Sequence, residues 1–567
     1  MDAMMTTPRA YLSPTLVLLA FDYPEAPITP DFLGFSILRK PGFDGAPSSY
    51  LPNRIGFHGP DPSGATKGSN EWPIQKFYWW DAHVNTADRG QKFTYTVTPV
   101  RGTPTNIVPI EGGASVDVTI PQIVEHGIGS YFNRAVVSSQ AFVNNFGHNP
   151  TGKQLQNALV WLANGMELAV SEFVAQAATA GSAIAGAIYH LSATPDGDFI
   201  IPALGAHPYA VNLVYHAKDG VDQTAIDRLT PKQVTFDART TTNIMHDKFL
   251  VAYDGDRKAH AVIMGSANYT TEGLTQQANL MHSFASPELA QLYYERQQFL
   301  RPDPSLKATQ HANTGWSAAI NVGDATVRAF FPPEPLGSRQ SLDAIVAAVE
   351  KARSSVVFCL YDTTDKPLLD ACFAAQARGL MMQGLVNLVP HAPPQPNRRN
   401  QPPSPVQVDI YDHSIAPMQL QIVGHQQFGR TSTPQGFSFE DATIGSGAKF
   451  PVYIHHKFVV IDGDTIDPVI FTGSANLSKN STNANDENML AITNSPRLAQ
   501  IYLAEFLRLF EQYRARLAYE LRNNSGHAAG ASSQATFELA PDNAWTKKWF
   551  EPGTSTFSSR VTMSRHL

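Results

Sequence analysis

The distribution of apolar residues divides the chain into two regimes. Up to about residue 120, short apolar or aromatic runs (TLVLLAF, FLGFSILR, FYWWDAHV, KFTYTVTPV and SVDVTI) are separated by clusters of Pro, Gly, Asp and Ser. Runs of this length, rich in β-branched and aromatic residues and bounded by turn formers, predict successive antiparallel strands and an all-β sandwich over residues 12–120. From about residue 130 the pattern changes. NRAVVSSQAFVNNF reads as a strand and its exit, KQLQNALVWLANGMELAVSEFVAQAA as one helix with apolar residues three and four apart, and AIAGAIYHLSA as a buried strand. YAVNLVYHAK, NIMHDKFLVAYDG and AHAVIMG follow as strands, with a closing helix from Pro287. Such alternation predicts an α/β lobe, its mixed or parallel sheet flanked by helices.

The same course is run twice. MHDKFLVAYDGDRKAHAVIMGSAN around His246 answers to IHHKFVVIDGDTIDPVIFTGSAN around His455, and SPELAQLYYERQQFL from Ser286 to SPRLAQIYLAEFLRL from Ser495, 209 residues later. Tyr189 stands opposite Tyr361 only 172 residues on, so the second copy carries about 37 extra residues ahead of its HxK segment. The Pro-rich run from Val389 to Pro405 lies in that interval and is expected to be a long surface loop outside any sheet or helix. The organisation expected is a sandwich (12–120), one lobe over 130–315, a second over 322–522 and a tail over 523–567.

Successive side chains on a strand point to opposite faces. His246 and Lys248 therefore share a face, as do His455 and Lys457, while Asp247 and Phe249 turn away. The GSAN turn ending the neighbouring strand adds Ser266 and Asn268 in one lobe and Ser474 and Asn476 in the other. Two lobes set face to face would pool two imidazoles, two ammonium groups and two amides in a nearly symmetric anion site. One HxK is ordinarily the polar face of a strand, but packing gives no reason for the whole set to recur.

Composition narrows the chemistry. With 43% hydrophobic residues in 567, there is material for large cores. Two cysteines, Cys359 and Cys372, argue against a disulfide framework or a zinc site and are expected to be buried thiols. His282, His413, His425 and His456 show no ligand spacing, so no metal or other cofactor is expected. A net charge of −7 without a long Lys/Arg block weighs against a dedicated nucleic-acid binder, although Lys248 and Lys457 make the cleft locally positive. The weakly polar stretch from Leu159 to Ala193 is broken by Asn164, Glu167, Ser171 and Glu172 and reads as a core helix and strand rather than a membrane span. The first residues hold only Arg9 as a basic group and no small-residue cleavage site, so no secretory signal is predicted and the cytoplasm is narrowly favoured.

HxK, then Asp, then GSxN, twice over about residues 130–520, resembles the phospholipase D superfamily. The resemblance implies two pseudo-symmetric lobes and metal-independent phosphodiester cleavage through a phosphohistidine, one His being the nucleophile and the other the general acid. Family order assigns those roles to His246 and His455, with Lys248, Lys457, Asn268 and Asn476 on the phosphoryl oxygens and Ser266, Ser474, Asp254, Asp462 and Glu487 in support. The residues themselves leave the two histidine roles open. KFTYTVTPVRG further resembles the late strand and turn of a fibronectin type III module.

Hydrolysis of phospholipid head groups, or their transfer to an alcohol, is the first expectation, by a monomer in peripheral contact with a membrane. A nuclease acting on DNA or RNA is the second, and an inert phosphate-binding adaptor the third. Two departures from the family pattern stand out. Five residues rather than four separate Lys248 from Asp254, and setting QQAN against NDEN places Ala278 opposite Glu487, so the lobes should differ electrostatically. The aromatic cluster Phe77, Tyr78, Trp79 and Trp80 is expected in the sandwich core and sheet surface, and the tail motif AWTKKWF to pack on the catalytic body.

Overall fold

The computed structural model describes residues 5–136, 139–192, 194, 197–218, 221–361, 364–390, 392–396, 401–415, 419–440, 452–528 and 537–566. The five N-terminal apolar runs become the strands Leu16–Ala20, Phe32–Lys40, Tyr78–Asp81, Lys92–Thr103 and Ala114–Thr119. Arg9–Ser13, Leu16–Ala20 and Tyr78–Asp81 form one antiparallel sheet. Lys92–Thr103 centres another, paired with Phe32–Lys40, Asn106–Pro109 and Ala114–Thr119. In that central strand Phe93, Tyr95 and Val97 are buried while Lys92, Thr94 and Thr96 lie outward, as a period of two requires. Phe77 and Tyr78 are buried, and Trp79 and Trp80 stack on each other at 5.2 Å.

The remainder is a mixed α/β structure containing two eight-stranded sheets. The first runs Val124–Glu125, Ile128–Phe132, Leu280–Phe284, Ala259–Gly265, Lys248–Tyr253, Ala183–Ile188, Val211–His216, Val234–Arg239. The second runs Ile320–Val322, Ala325–Phe330, Met489–Thr493, Val469–Gly473, Lys457–Ile461, Ser355–Leu360, Met381–Val386, Ile422–Gly424. Strand order and sense agree: the last three strands of each are parallel and their junction with the HxK strand is antiparallel. Ala183–Ile188 and Ser355–Leu360, central in their sheets, are almost wholly buried, which is why they read as continuous apolar runs.

The structure corrects several sequence expectations. The single helix expected between Lys153 and Ala178 is two, Gly152–Ala163 and Met166–Thr179, bent by 79°. Asn164 (φ 55°) and Gly165 (φ 95°) occupy the left-handed region that ends a helix, a conformation open to Asn and Gly. Among the described residues no single helix is long and apolar enough to cross a membrane; this bent pair passes that test only when its helices are taken together. The extra residues of the second lobe fall in two places. One is the Pro-rich segment, whose described residues lack helix and strand until Pro405 opens the helix Pro405–Ser414; the other lies between Gly424 and His455. There Gln140 bonds both N and O of Ser438, while Glu440 meets Gln140 at 2.8 Å and Arg516 at 2.5 Å. The AWTKKWF segment packs on the N-terminal sheets, where Trp545 stacks on Phe32 at 5.6 Å and fully buried Trp549 abuts Phe77 and Tyr78, while the tail helix Ser555–Ser564 reaches the second lobe, Ser559 accepting from Gln383 at 2.9 Å.

The helix Pro496–Ala528 joins the two regimes, touching Arg9–Ser13 and Leu16–Ala20 as well as Ser355–Leu360 and Lys457–Ile461. Its buried Glu511 accepts from Lys76 and Tyr78 at 2.6 Å each, and Glu505 from Ser13 at 2.7 Å.

Candidate active site

Each HxK motif lies at the mouth of its strand rather than inside it. The regular strands begin at Lys248 and Lys457, and the residues just before each histidine pair with the other lobe. Ile244–Met245 runs parallel to Asn485–Asp486, and Ile454 bridges to Ala278. The backbone N–H of His246 donates to Asp486 O at 2.8 Å, and that of His455 to Ala278 O at 3.0 Å. The two lobes therefore exchange short segments, and each histidine hangs from the lobe that did not supply it.

The side chains repeat this exchange. Nδ1 of His246 donates to Oε2 of Glu487 in the second lobe at 2.8 Å, and Nδ1 of His455 to Oδ1 of Asn279 in the first at 2.9 Å. Ser474 and Ser481 donate to the two Glu487 oxygens at 2.6 Å each, and Ser266 donates to Asn279 Oδ1 at 2.7 Å. The structural counterpart of Glu487 is thus Asn279, not Ala278. Gly265 lies opposite Met281 and Gly473 opposite Met489, the same 208-residue offset as between the GSAN turns. The offset, 209 at the two histidines and 208 through the GSAN turns, returns to 209 after the closing strand, where the second lobe inserts Asn494 at φ 62°. Glycine opens each GSAN turn because the closing strand backs onto it: a Cβ at Gly473 would lie 2.2 Å from Asn488 O, at φ 150°, and one at Gly265 2.2 Å from Leu280 O.

Lys248 and Lys457 fold back to donate to the carbonyls of His246 and His455 at 2.7 and 2.6 Å. Tyr189 lies edge-on to His246 at 4.9 Å with Lys248 Nζ 4.9 Å over its ring, and Tyr361 sits likewise by His455 and Lys457 at 5.8 and 5.7 Å. Both histidines and both lysines are buried. Burial, then the nearby lysines, pushes both imidazoles below the ordinary histidine value. Burial pulls Lys248 down to about 7, against the opposing pull of Glu487, and drives Lys457 well down. Burial also raises the Glu487 carboxyl. With each Nδ1–H committed to an acceptor, the neutral imidazoles carry their free lone pair on Nε2.

Asn268 and Asn476 keep buried Oδ1 atoms with no bond to the described protein. Asp254 is exposed and accepts from the backbone of Asp256 and Lys258 at 3.0 Å, closing its hairpin. Asp462 accepts from the backbone of Arg353, Ser354 and Ser355 at 2.7–3.1 Å, anchoring the entry to Ser355–Leu360. Neither aspartate joins the histidine, lysine and asparagine set. His282, His413, His425 and His456 all sit in packing contacts, for example His456 Nδ1 against Cys359 Sγ at 3.5 Å.

Sequence reading missed Asn279 and a buried ionic layer beneath the site. Asp486 lies between Arg239, 2.8 Å away, and Arg296, 3.4 Å away. Asp247, raised to about 7 by burial, takes a bond from Asn488 at 2.8 Å. The signal for Asn279 was the 208-residue offset of the GSAN turns; the arginines follow no local pattern. His190, stacked on Tyr189 at 3.8 Å, was missed as well, although AIYHLSA sets it beside that tyrosine.

Residues 345–510 match the family model described as "Cardiolipin synthase, PLD-like domain". The second lobe therefore carries a PLD-like domain. No curated protein matches the sequence. Among solved structures, polyphosphate kinase from Porphyromonas gingivalis aligns at 13% identity and TM-score 0.37, covering 63% of this chain and 45% of that one. Phosphatidylserine synthase from Haemophilus influenzae aligns at 14% and 0.40, covering 62% and 85%. Nuc, a phospholipase D family member from Salmonella typhimurium, aligns at 17% and 0.22, covering 34% and 95%.

Proposed function

We propose that the chain cleaves phospholipid head groups, or transfers the phosphatidyl group to an alcohol, through a phosphohistidine on His246. The observation that carries this reading is the pair of histidines facing two buried lysines, each held at Nδ1 by the opposite lobe. The asymmetry of those acceptors supports the division of roles. As Nε2 of His246 bonds to phosphorus its ring becomes cationic, and the Glu487 carboxylate stabilises that charge better than the Asn279 amide would.

The P–O bond to the head group breaks, its electron pair leaves on oxygen, and that oxygen takes the Nε2 proton of His455. Water then attacks phosphorus and gives its proton to His455; the P–N bond breaks, leaving phosphatidic acid and free His246. An alcohol in place of water gives transfer. Lys248, Lys457 and the amides of Asn268 and Asn476 would hold the non-bridging oxygens. The N-terminal sheets are read as a fibronectin type III-like sandwich that braces Pro496–Ala528.

Release of head group and phosphatidic acid from mixed phospholipid vesicles in excess EDTA is the expected result, measured by mass spectrometry of both products. Intact vesicles beside cleaved single-stranded DNA or RNA would transfer the site to a nuclease.

The acidity dependence has a defined sign. Attack needs neutral His246, and leaving-group protonation needs charged His455. Because both histidines are depressed, His455 gives up its proton as the pH rises through a value already below 6.5, and Lys248 begins to lose its charge near 7. The expected kcat/KM profile is a bell with its maximum on the acid side of pH 6.5. A maximum above about pH 7.5 would contradict the assignment.

A further inference from the structure

Beside the anion site, and sharing Asn268 with it, lies a cleft of about 460 Å³ on the first lobe whose walls include Ser192, Asp222, Asn268, Thr270, Glu272 and Gln277. Its polar lining is rich in acceptors: two carboxylates, two hydroxyls and two amide oxygens. Asn268, 8% exposed, and Gln277 both present buried amide oxygens that receive no bond from the described protein. A buried acceptor without a donor costs free energy that a ligand N–H or O–H recovers. Asp222 spends one oxygen capping the helix Gln223–Leu229, and among the described residues neither it nor Glu272 meets a Lys or Arg. Both carboxylates are exposed at the cleft.

Resting on the phosphodiesterase reading above, we infer that this cleft holds the head group of the diester and selects an alcohol bearing a primary ammonium. Three features of the lining set the class. Negative charge at the mouth repels a further phosphate, which disfavours a polynucleotide and an anionic head group alike. The excess of acceptors suits an ammonium with three N–H donors. A trimethylammonium, which donates none, is instead recognised by aromatic faces, and among the described residues the lining holds no Phe, Tyr or Trp. His190, also on the wall, is kept neutral by burial, which pushes it down to about 4, and so does not repel a cation.

The test uses the full chain and soluble dihexanoyl phospholipids with ethanolamine, choline or glycerol head groups, beside bis(p-nitrophenyl) phosphate as a diester without a head group. Expected is a kcat/KM for the ethanolamine lipid at least about tenfold above the other two, one well-placed charged contact being worth about that much. In the double variant Asp222→Asn, Glu272→Gln the ethanolamine-to-choline ratio should fall to about two or less. A ratio measured on surviving activity is independent of how much protein folds. Equal turnover of the ethanolamine and choline lipids, or a preference that survives the double substitution, overturns the subsite while leaving the phosphodiesterase intact. No hydrolysis of any of the four diesters overturns the phosphodiesterase reading, and the subsite with it.

Discussion

His455→Ala should burst and His246→Ala should not. With a natural head group as leaving group, either substitution is expected to lower turnover by about 10,000-fold or more, because each removes a group that acts at the reacting atoms. With bis(p-nitrophenyl) phosphate the two separate. p-Nitrophenolate leaves without a proton, so His455→Ala retains attack by His246 but loses the base that activates water for the second step. One equivalent of p-nitrophenol should appear rapidly, followed by near silence, and intact-protein mass spectrometry should find an acid-labile phosphoryl adduct on His246. His246→Ala should give neither. The reverse pattern, a burst and an adduct on His455 in the His246→Ala protein, would sink the role assignment but not the chemistry.

The second large effect is on stability. Asp486 is fully buried between Arg239 and Arg296, which come from the first lobe while Asp486 comes from the second. Asp486→Ala would leave two buried guanidinium groups short of a counter-charge, a loss expected to cost about 3–5 kcal/mol. Asp303 at 2.9 Å keeps one partner for Arg239 and should place the value toward the lower end. Urea unfolding monitored by tryptophan fluorescence measures it, with Asp486→Asn as the variant that keeps the shape and loses the charge. A change under about 1 kcal/mol for the alanine variant would mean that the layer is dispensable.

How much of this was legible in the chain depends on the range of the interaction. The central strands of both sheets were readable because burial on both faces writes itself as runs such as AIAGAI and SVVFCL, and the HxK and GSAN segments because a strand's period is local, whereas NRAVVSSQAFVNNF, read as a strand and its exit, follows the strand Ile128–Phe132 and holds the helix Gln140–Phe146. The partners of the histidines were only half readable. Glu487 could be named from NDEN, where Asp486 stands beside it, but a count carried along the 209-residue offset landed on Ala278, one residue short of Asn279. The placement of each histidine against the opposite lobe, the Arg239–Asp486 layer and the docking of Trp549 on Phe77 and Tyr78 depend on contacts between residues hundreds of positions apart, about which no local period carries information. The helix break at Asn164–Gly165 was written in the sequence and overlooked, since the apolar spacing continues across it.

The reciprocal holding of the histidines also bears on inheritance. A duplicated gene ordinarily frees one copy to drift, yet here residue 246 is tuned by residue 487 and residue 455 by residue 279, so no half can be altered, exchanged or recombined without retuning the other. A chimera joining either half to a foreign counterpart is therefore expected to carry histidines whose Nδ1 acceptors belong to another ring.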